Sequence, residues 1–337
     1  MILSGYTYDG KPTEKQEEVY EEAMSPEWAE RIRETYKHVF GSQQCRITED
    51  ELTDMLEGMY DTHIHAAPDS YGWRVRTEAD VARKAIDYKF GGLVFKGQGA
   101  PTSYRQAFVK ELADIYAQQN EKKSIDIFGG VCCASQVGGY NPAAVEASFM
   151  VGGKYVWTPS KDSDFQHIVE GNSKPGIKCI DENGNLIPEI HEIFKMIAEN
   201  DGVLGISHQS TRERFMMIEL AQKMGIKRIV LEHVQMHITR MSIPQLKEAA
   251  KKGVYLGLAA VAGYCNYVMP HVDNYEAINW IKEIGAEHFI AQTDMTQLQN
   301  PDPIEGIRIM AKILLSQGLP IKDLQAIYVK NPHDLLY

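Results

Sequence analysis

Short apolar runs alternate with longer amphipathic stretches from about residue 58 to the end of the chain. The apolar runs have the length of buried strands, and the stretches between them repeat hydrophobic residues at helical spacing. Strands that alternate with helices form parallel sheets, and eight such units closed on themselves form a (β/α)8 TIM barrel. We therefore predict an α/β fold of the TIM-barrel type, with an open doubly wound sheet as the alternative. The eight predicted strands are residues 58–65, 92–96, 125–131, 154–158, 203–208, 228–233, 254–258 and 288–294.

The residues before the first strand do not follow this repeat. Tyr20, Trp28, Ile32 and Tyr36 recur at roughly helical spacing within a segment rich in Glu, Lys and Arg. This pattern predicts an N-terminal helical extension over residues 1–57, packed on a barrel domain of residues 58–337.

A long insert separates the fourth strand from its helix. Within residues 159–188, two short apolar runs flank the turn sequence Asp181–Gly184. The pattern predicts a β-hairpin inserted after strand 4. Because loops at this end of a barrel border the active site, we expect the hairpin to act as a lid.

Composition narrows the class of partner. The net charge of −11 argues against nucleic acid and anionic membranes as partners, since both need basic surface. No apolar run approaches the roughly 20 residues that span a bilayer, and the first residues lack the pattern of a signal peptide. The five cysteines have no regular spacing. We expect a reduced, cytoplasmic protein that acts on a small molecule.

Ionisable side chains fall at the ends of the predicted strands. In a TIM barrel the carboxyl ends of all strands meet at one rim, where catalytic groups lie. One histidine at such a place is more often structural, but this many are hard to explain that way. The residues at strand ends are His63, His65, Lys96, His208, His233 and Asp294.

This set resembles the metal site of the amidohydrolase superfamily, which has HxH after strand 1, one histidine after each of strands 5 and 6, and aspartate after strand 8. The matching segments are His63–His65, Ser207–His208, Glu232–His233 and Thr293–Asp294. The stretches HIHAAPD, VFKGQ, GGYNP, VWTPS and SHQS look like an uncharacterised amidohydrolase-like branch. The resemblance covers about residues 60–294.

The resemblance implies a divalent metal, Zn²⁺ first, with Mn²⁺ or Fe²⁺ as alternatives. An ion held by His63, His65 and Asp294 would lower the pKa of a bound water toward ~7. Asp294 would take the proton of the water and later deliver it to the leaving group. His208 would complete a one-metal site, or would join His233 on a second ion. With one metal, His233 would polarise the substrate carbonyl or orient the water.

Lys96 marks a departure from the family pattern. Two-metal members usually bridge their ions with a carboxylated lysine or a glutamate from strand 4, whereas strand 4 here ends in Val156–Ser160, which contains no acid. Lys96, at the end of strand 2, would bridge two ions as a carbamate. As an ammonium it would bind a substrate carboxylate or carbonyl. The sequence leaves one and two ions open.

Further residues after the strands are candidates for binding substrate. Arg74 and Arg76 follow strand 1 and could pair with a substrate carboxylate, although a surface ion pair is as reasonable. Tyr140 and Asn141 follow strand 3, and Tyr264 follows strand 7. These three could line a pocket for a planar ring, although aromatic residues in loops more often serve packing.

The leading hypothesis is a metal-dependent hydrolase that cleaves a small amide, cyclic amide or imide, amidine or lactone. A decarboxylase, isomerase or phosphoesterase on the same barrel is the alternative, and a non-enzymatic barrel that binds a partner is a third. Fold alone does not fix the substrate. Barrels of this size often assemble, so a homo-oligomer is also open.

Overall fold

The computed structural model describes residues 47–70, 72–263 and 274–337, together with Glu14 and Pro26. Most of the predicted N-terminal extension therefore lies outside the described residues, as does Tyr264. Within the described part of the chain, no helix is long and apolar enough to cross a membrane.

The described strands are all parallel to their neighbours and lie in two sheets. One sheet has the order β1-β2-β3 and the other the order β4-β5-β6-β7-β8-β9. Within each sheet every strand pairs with the next along the chain, which is typical of repeated β-α units. The α/β fold with parallel sheets is thus confirmed. The strands are β1 (Tyr60–Ile64), β2 (Gly92–Phe95), β3 (Asp126–Phe128), β4 (Gly130–Cys132), β5 (Tyr155–Trp157), β6 (Val203–Ile206), β7 (Arg228–Leu231), β8 (Tyr255–Ala259) and β9 (Phe289–Gln292).

Helices follow most of the strands, and their first residues carry the expected start signals. Thr77 caps its helix with a reciprocal hydrogen bond to Asp80. Asn141 caps the helix that begins with Pro142. The α-helices of the described residues are α1 (Glu49–Met55), α2 (Glu78–Asp87), α3 (Gln106–Gln119), α4 (Pro142–Met150), α5 (Asp164–Glu170), α6 (Pro188–Glu199), α7 (Thr211–Lys223), α8 (Ile243–Lys251), α9 (Ala260–Gly263), α10 (Asn274–Ile284), α11 (Pro303–Ser316), α12 (Ile321–Gln325) and α13 (Asn331–Leu336).

The predicted third strand, residues 125–131, is interrupted at Gly129 and forms β3 and β4. A Cβ atom at Gly129 would lie 2.7 Å from the backbone carbon of Thr102, so only glycine fits there. The hydroxyl of Thr102 donates to the carbonyl of Phe95 at 2.6 Å and accepts from the amide of Gly130 at 2.9 Å. The side chain of Thr102 therefore links the end of β2 to the start of β4 in place of direct backbone hydrogen bonds between them.

Side chains also link β1 to the segment after β9. The carboxylate of Asp61 accepts from the amide of Thr293 at 3.0 Å and from its hydroxyl at 2.5 Å. Beyond the strand ends, the amide of Asp294 donates to the carbonyl of His63 at 2.8 Å. These bonds hold the first and last strand ends together.

The insert between β5 and α6 differs from its prediction. Its described residues include helix α5 and a single antiparallel bridge between Ile180 and Leu186, so a hairpin ladder is not confirmed. The carboxylate of Asp181 accepts from the amides of Asn183 and Asn185, both at 2.9 Å. The Asp181 side chain thus adds two hydrogen bonds to the backbone bonds of the turn.

The strands are buried on both faces, which places their ends deep in the molecule. Adjacent residues of a strand point to opposite faces and belong to different hydrophobic clusters, as Leu93 and Val94 of β2 do. The larger cluster packs the sheets against the helices. The smaller cluster collects side chains from many strands: Tyr60, Val94, Cys132, Tyr155, Trp157, Val203, Val230 and Ile290.

Candidate metal centre

Four histidines and one aspartate, all residue types that can bind a metal, meet at the carboxyl ends of four strands. Asp294 Oδ1 lies 2.9 Å from His65 Nε2 and 3.5 Å from His63 Nε2. On the other side, the Nε2 atoms of His208 and His233 are 3.2 Å apart. Ligand atoms of His63, His233 and Asp294 all lie within 4.8 Å of one another, which joins the two sides into one group.

The spacing and chemistry of these donors fit a divalent metal. Two ligands bound about 2.05 Å from a tetrahedral zinc ion lie about 3.3 Å apart, close to the 2.9–3.5 Å separations of neighbouring donors here. His63 Nε2 is buried and has no hydrogen-bond partner among the described residues. A buried polar atom without a partner costs free energy unless a ligand satisfies it.

A buried carboxylate fixes the orientation of His63. Glu232 Oε2 lies 2.8 Å from His63 Nδ1, which places the proton on Nδ1 and directs the Nε2 lone pair toward the other donors. Glu232 also accepts from Trp157 Nε1 at 2.9 Å and from Gln292 Nε2 at 2.6 Å. Burial raises the pKa of Glu232 to about 7, against the charge of Lys96 and these hydrogen bonds. No role for Glu232 is predicted from the sequence, although its place directly before His233 is a usable signal.

The insert orients His208 in the same manner. Gln166, in α5, accepts from His208 Nδ1 at 2.6 Å, and its own amide nitrogen donates to Glu170. Ser163 donates to the carbonyl of His208 at 2.5 Å. The lone pair of His208 Nε2 therefore faces His233. Sequence alone did not indicate Gln166, because its partner lies 42 residues away.

The four histidines of the group are held in their neutral form. Burial is the largest cause that lowers the pKa of His63, His65, His208 and His233, and the nearby charge of Lys96 lowers each one further. Since a metal binds the neutral imidazole, the site is prepared for an ion.

Two members of the group have strained backbones. His233 and Asp294 have φ angles of 36° and 54°, in the left-handed region that favours glycine. Such a conformation costs on the order of 1–3 kcal/mol and is concentrated at functional sites.

Lys96 is buried beside this group. Its ammonium donates to the hydroxyl of Ser160 at 2.8 Å and lies 5.9 Å from the centre of the Trp157 ring. A lysine within about 6 Å of an aromatic face is attracted to it as a cation. Both contacts suit the charged ammonium form.

A cavity of about 170 Å³ opens onto the group. Of the predicted substrate-binding residues, Arg74 borders it, and the guanidinium is held by Asp69 through Nε at 3.1 Å and Nη2 at 2.8 Å. The cavity is lined by His65, Arg74, Lys96, Gln98, Lys161, His208, His233, Met236, Val261, Asp294, Gln297, Gln299 and Asn300.

Three other predicted substrate residues have different places. Arg76 pairs with Asp302 at 3.2 Å, is half exposed and is not among the residues that line the cavity. Tyr140 is buried in the larger hydrophobic cluster, and the side chain of Asn141 caps the start of α4. Neither is among the residues that line this cavity, so a pocket for a planar ring at this loop stays a prediction. Tyr264 lies outside the described residues.

Solved structures with a similar fold include three hydrolase-like proteins. An amidohydrolase from Pseudomonas aeruginosa is 16% identical, with a TM-score of 0.59 over 86% of this chain and 98% of that one. A probable dipeptidase, PvdM, from the same organism is 11% identical, with a TM-score of 0.59 over 86% and 96%. A probable 2-pyrone-4,6-dicarboxylic acid hydrolase from Acinetobacter baumannii is 13% identical, with a TM-score of 0.51 over 83% and 99%.

At these identities the likeness concerns the fold, and it confirms the predicted resemblance to the amidohydrolases at that level. Comparison with curated proteins finds no match. The sequence matches a family of unknown function, DUF6282, over residues 58–257. This match spans more than half of the chain, and the protein therefore belongs to the DUF6282 family.

Proposed function

We propose that this protein is a metal-dependent hydrolase that uses water to cleave a C–N bond or a lactone C–O bond of a small molecule. The convergence of His63, His65, His208, His233 and Asp294 beside a cavity carries this proposal. A structural role would leave such buried groups hydrogen-bonded, whereas His63 Nε2 has no hydrogen-bond partner in the described part of the chain.

The two sheets, in this proposal, belong to one closed eight-stranded barrel. The Thr102 bridge between Phe95 and Gly130 supports continuity at one junction. The bonds of Asp61 to Thr293 and of Asp294 to His63 support it at the other. A closed barrel explains why strand ends far apart in sequence supply one group of donors.

One divalent ion, preferably zinc, would lie among His63, His233 and Asp294, with His65 and His208 completing the donor set. When bound, such an ion supplies Lewis-acid activation of water and of the substrate carbonyl. Lys96 would remain an ammonium, because its contacts with Ser160 and the Trp157 ring suit a cation. This assignment favours one ion over a lysine-bridged pair.

Asp294 is the proposed proton carrier, since its carboxylate borders the cavity. As the oxygen of water bonds to the carbonyl carbon, the carboxylate accepts a proton from the water. The C–N or C–O bond then breaks, and Asp294 returns the proton to the departing nitrogen or oxygen. His233 also lines the cavity, and in this one-ion site its imidazole belongs to the donor set of the ion.

Metal content and activity test the proposal together. We expect about one divalent ion per chain in the wild type and near none in Asp294→Asn, which keeps the shape but loses the charge. Chelation should abolish hydrolysis of a panel of small amides and lactones, and Zn²⁺ should restore it. A wild type that binds no metal after reconstitution would overturn the proposal. Two ions per chain, falling to one or none in Lys96→Ala, would replace the one-ion centre with a bridged pair.

A further inference from the structure

The walls of the cavity carry the opposite sign of charge from the protein as a whole. The chain has a net charge of −11, yet the cavity lining includes three cations, Arg74, Lys96 and Lys161, and one carboxylate, Asp294. Asp294 belongs to the metal-binding group, so a bound cation would neutralise it. Asp69 pairs with Arg74 behind the lining, so the excess of positive charge at the wall comes from Lys96 and Lys161. Such a cleft attracts anions.

Arg74 is built rigidly into this wall. Its side chain is 5% exposed, and Nε and Nη2 both donate to one oxygen of Asp69, whose side chain is 1% exposed. The backbone amide of Gln98 donates to the other oxygen of Asp69 at 3.3 Å. A bridge joins the backbone of Arg74 to that of Gln297, another lining residue. The guanidinium therefore meets a ligand with little loss of side-chain entropy.

The other two cations reach the cavity from the segments that follow β2 and β5. Lys96 follows β2 and is anchored by the hydroxyl of Ser160, which directly precedes Lys161. The loop after β5 thus anchors Lys96 through the hydroxyl of Ser160 and also supplies Lys161. The arrangement surrounds the cavity with positive charge on more than one side.

The lining also limits the size of the ligand. The cavity of about 170 Å³ is smaller than the roughly 300–1,000 Å³ typical of pockets for drug-sized ligands. Four amide side chains border it and can bond to polar groups of a ligand: Gln98, Gln297, Gln299 and Asn300. A compact polar molecule suits this space better than a large apolar one.

We infer that the substrate is a compact carboxylic acid derivative, an amide or lactone that bears at least one free carboxylate. Arg74 binds that carboxylate, with Lys161 and Lys96 around it, while the scissile carbonyl lies over His233 and Asp294. The inference rests on the proposed function for the bond that is cleaved. The selection of a carboxylate rests on Arg74, Lys96 and Lys161 alone.

Calorimetric titration with succinate, and with uncharged succinamide as the matched probe, tests this selection. We expect the metal-free and the zinc-loaded protein both to bind succinate more tightly than succinamide. In both forms Arg74→Gln should weaken succinate binding by about tenfold or more, because charge-assisted hydrogen bonds are lost. Arg76→Gln, in the same loop but outside the cavity, should bind as the wild type does.

Several results would overturn the inference. They are equal binding of succinate and succinamide, equal loss in Arg74→Gln and Arg76→Gln, or tighter binding of inorganic phosphate than of succinate. If Arg74→Gln does not fold, judged by circular dichroism, Lys161→Gln takes its place with the same expected direction. A protein that binds metal but shows no preference for succinate refutes the substrate class and leaves the proposed function standing. A protein that prefers succinate but binds no metal refutes the proposed function and leaves the selection of a carboxylate standing.

Discussion

Polar residues at the start of strand β7 and just past its end differ in how their hydrogen bonds are completed. At its start, Arg228 donates from Nε and Nη2 to Asp201, from Nη1 to the carbonyl of Asp334, and from Nη2 to that of Tyr337. Two residues past its end, His233 has a positive φ, and its Nδ1 has no partner among the described residues. The protein completes the hydrogen bonds of Arg228 at one end of the strand, whereas Nδ1 of His233 at the other end is left without one among the described residues.

This contrast separates stability from function. Hydrogen bonds that the protein completes internally, such as those of Arg228, hold the last helix and the C-terminal residue against the sheet. Strained backbone and unpartnered buried nitrogen atoms cost stability and persist only where they serve another purpose. Substitutions at the two ends should therefore change different measurable quantities.

The largest change in metal affinity within this comparison is expected for Glu232→Gln. An amide can no longer supply the negative charge that holds the proton on His63 Nδ1. Loss of such a partner behind a metal ligand typically weakens metal binding by about 10–100-fold. Competition with a chromophoric chelator measures the affinity. Glu78→Gln is the matched control, because Glu78 is also buried but pairs with Arg105. Equal metal affinity in both variants would contradict the role of Glu232.

A smaller change is expected for Gln166→Leu, which removes the acceptor of His208 Nδ1 while keeping similar bulk. The ring then loses its fixed tautomer, and we expect metal affinity to fall by about tenfold. The same chelator assay applies. Gln222→Leu serves as the control, since Gln222 donates to the carbonyl of Lys252 on the surface. A drop in thermal stability without a change in metal affinity would show that the insert only packs against the rim.

The smallest effect on the metal is expected for Arg228→Ala, which should leave metal content unchanged. The variant loses an ion pair whose aspartate is largely exposed and several hydrogen bonds to carbonyls. We expect the free energy of unfolding to fall by about 1–2 kcal/mol. Urea denaturation of the metal-free protein measures this loss. Release of metal from Arg228→Ala would mean that the two ends of the strand are coupled.

Local sequence patterns predicted the elements and the positions of the ligand candidates. Thr77 with Asp80 and Asn141 with Pro142 mark helix starts within a few residues, because capping depends on neighbours in the chain. His63, His208 and Asp294 could be selected because each lies at the end of an apolar strand run. Strand ends of a parallel α/β fold share one edge, so their convergence follows from the order of elements.

Contacts across the fold were beyond the reach of local patterns. Glu232 reaches His63 across 169 residues of sequence, and no spacing within the chain encodes that pair. Arg74 and Arg76 look alike in sequence, yet one borders the cavity and the other faces Asp302. The sequence by itself determined which side chains stand at the strand ends. Only the tertiary structure decided which of them are oriented, buried and left without a partner, because burial and hydrogen-bond partners depend on residues brought together from distant parts of the chain.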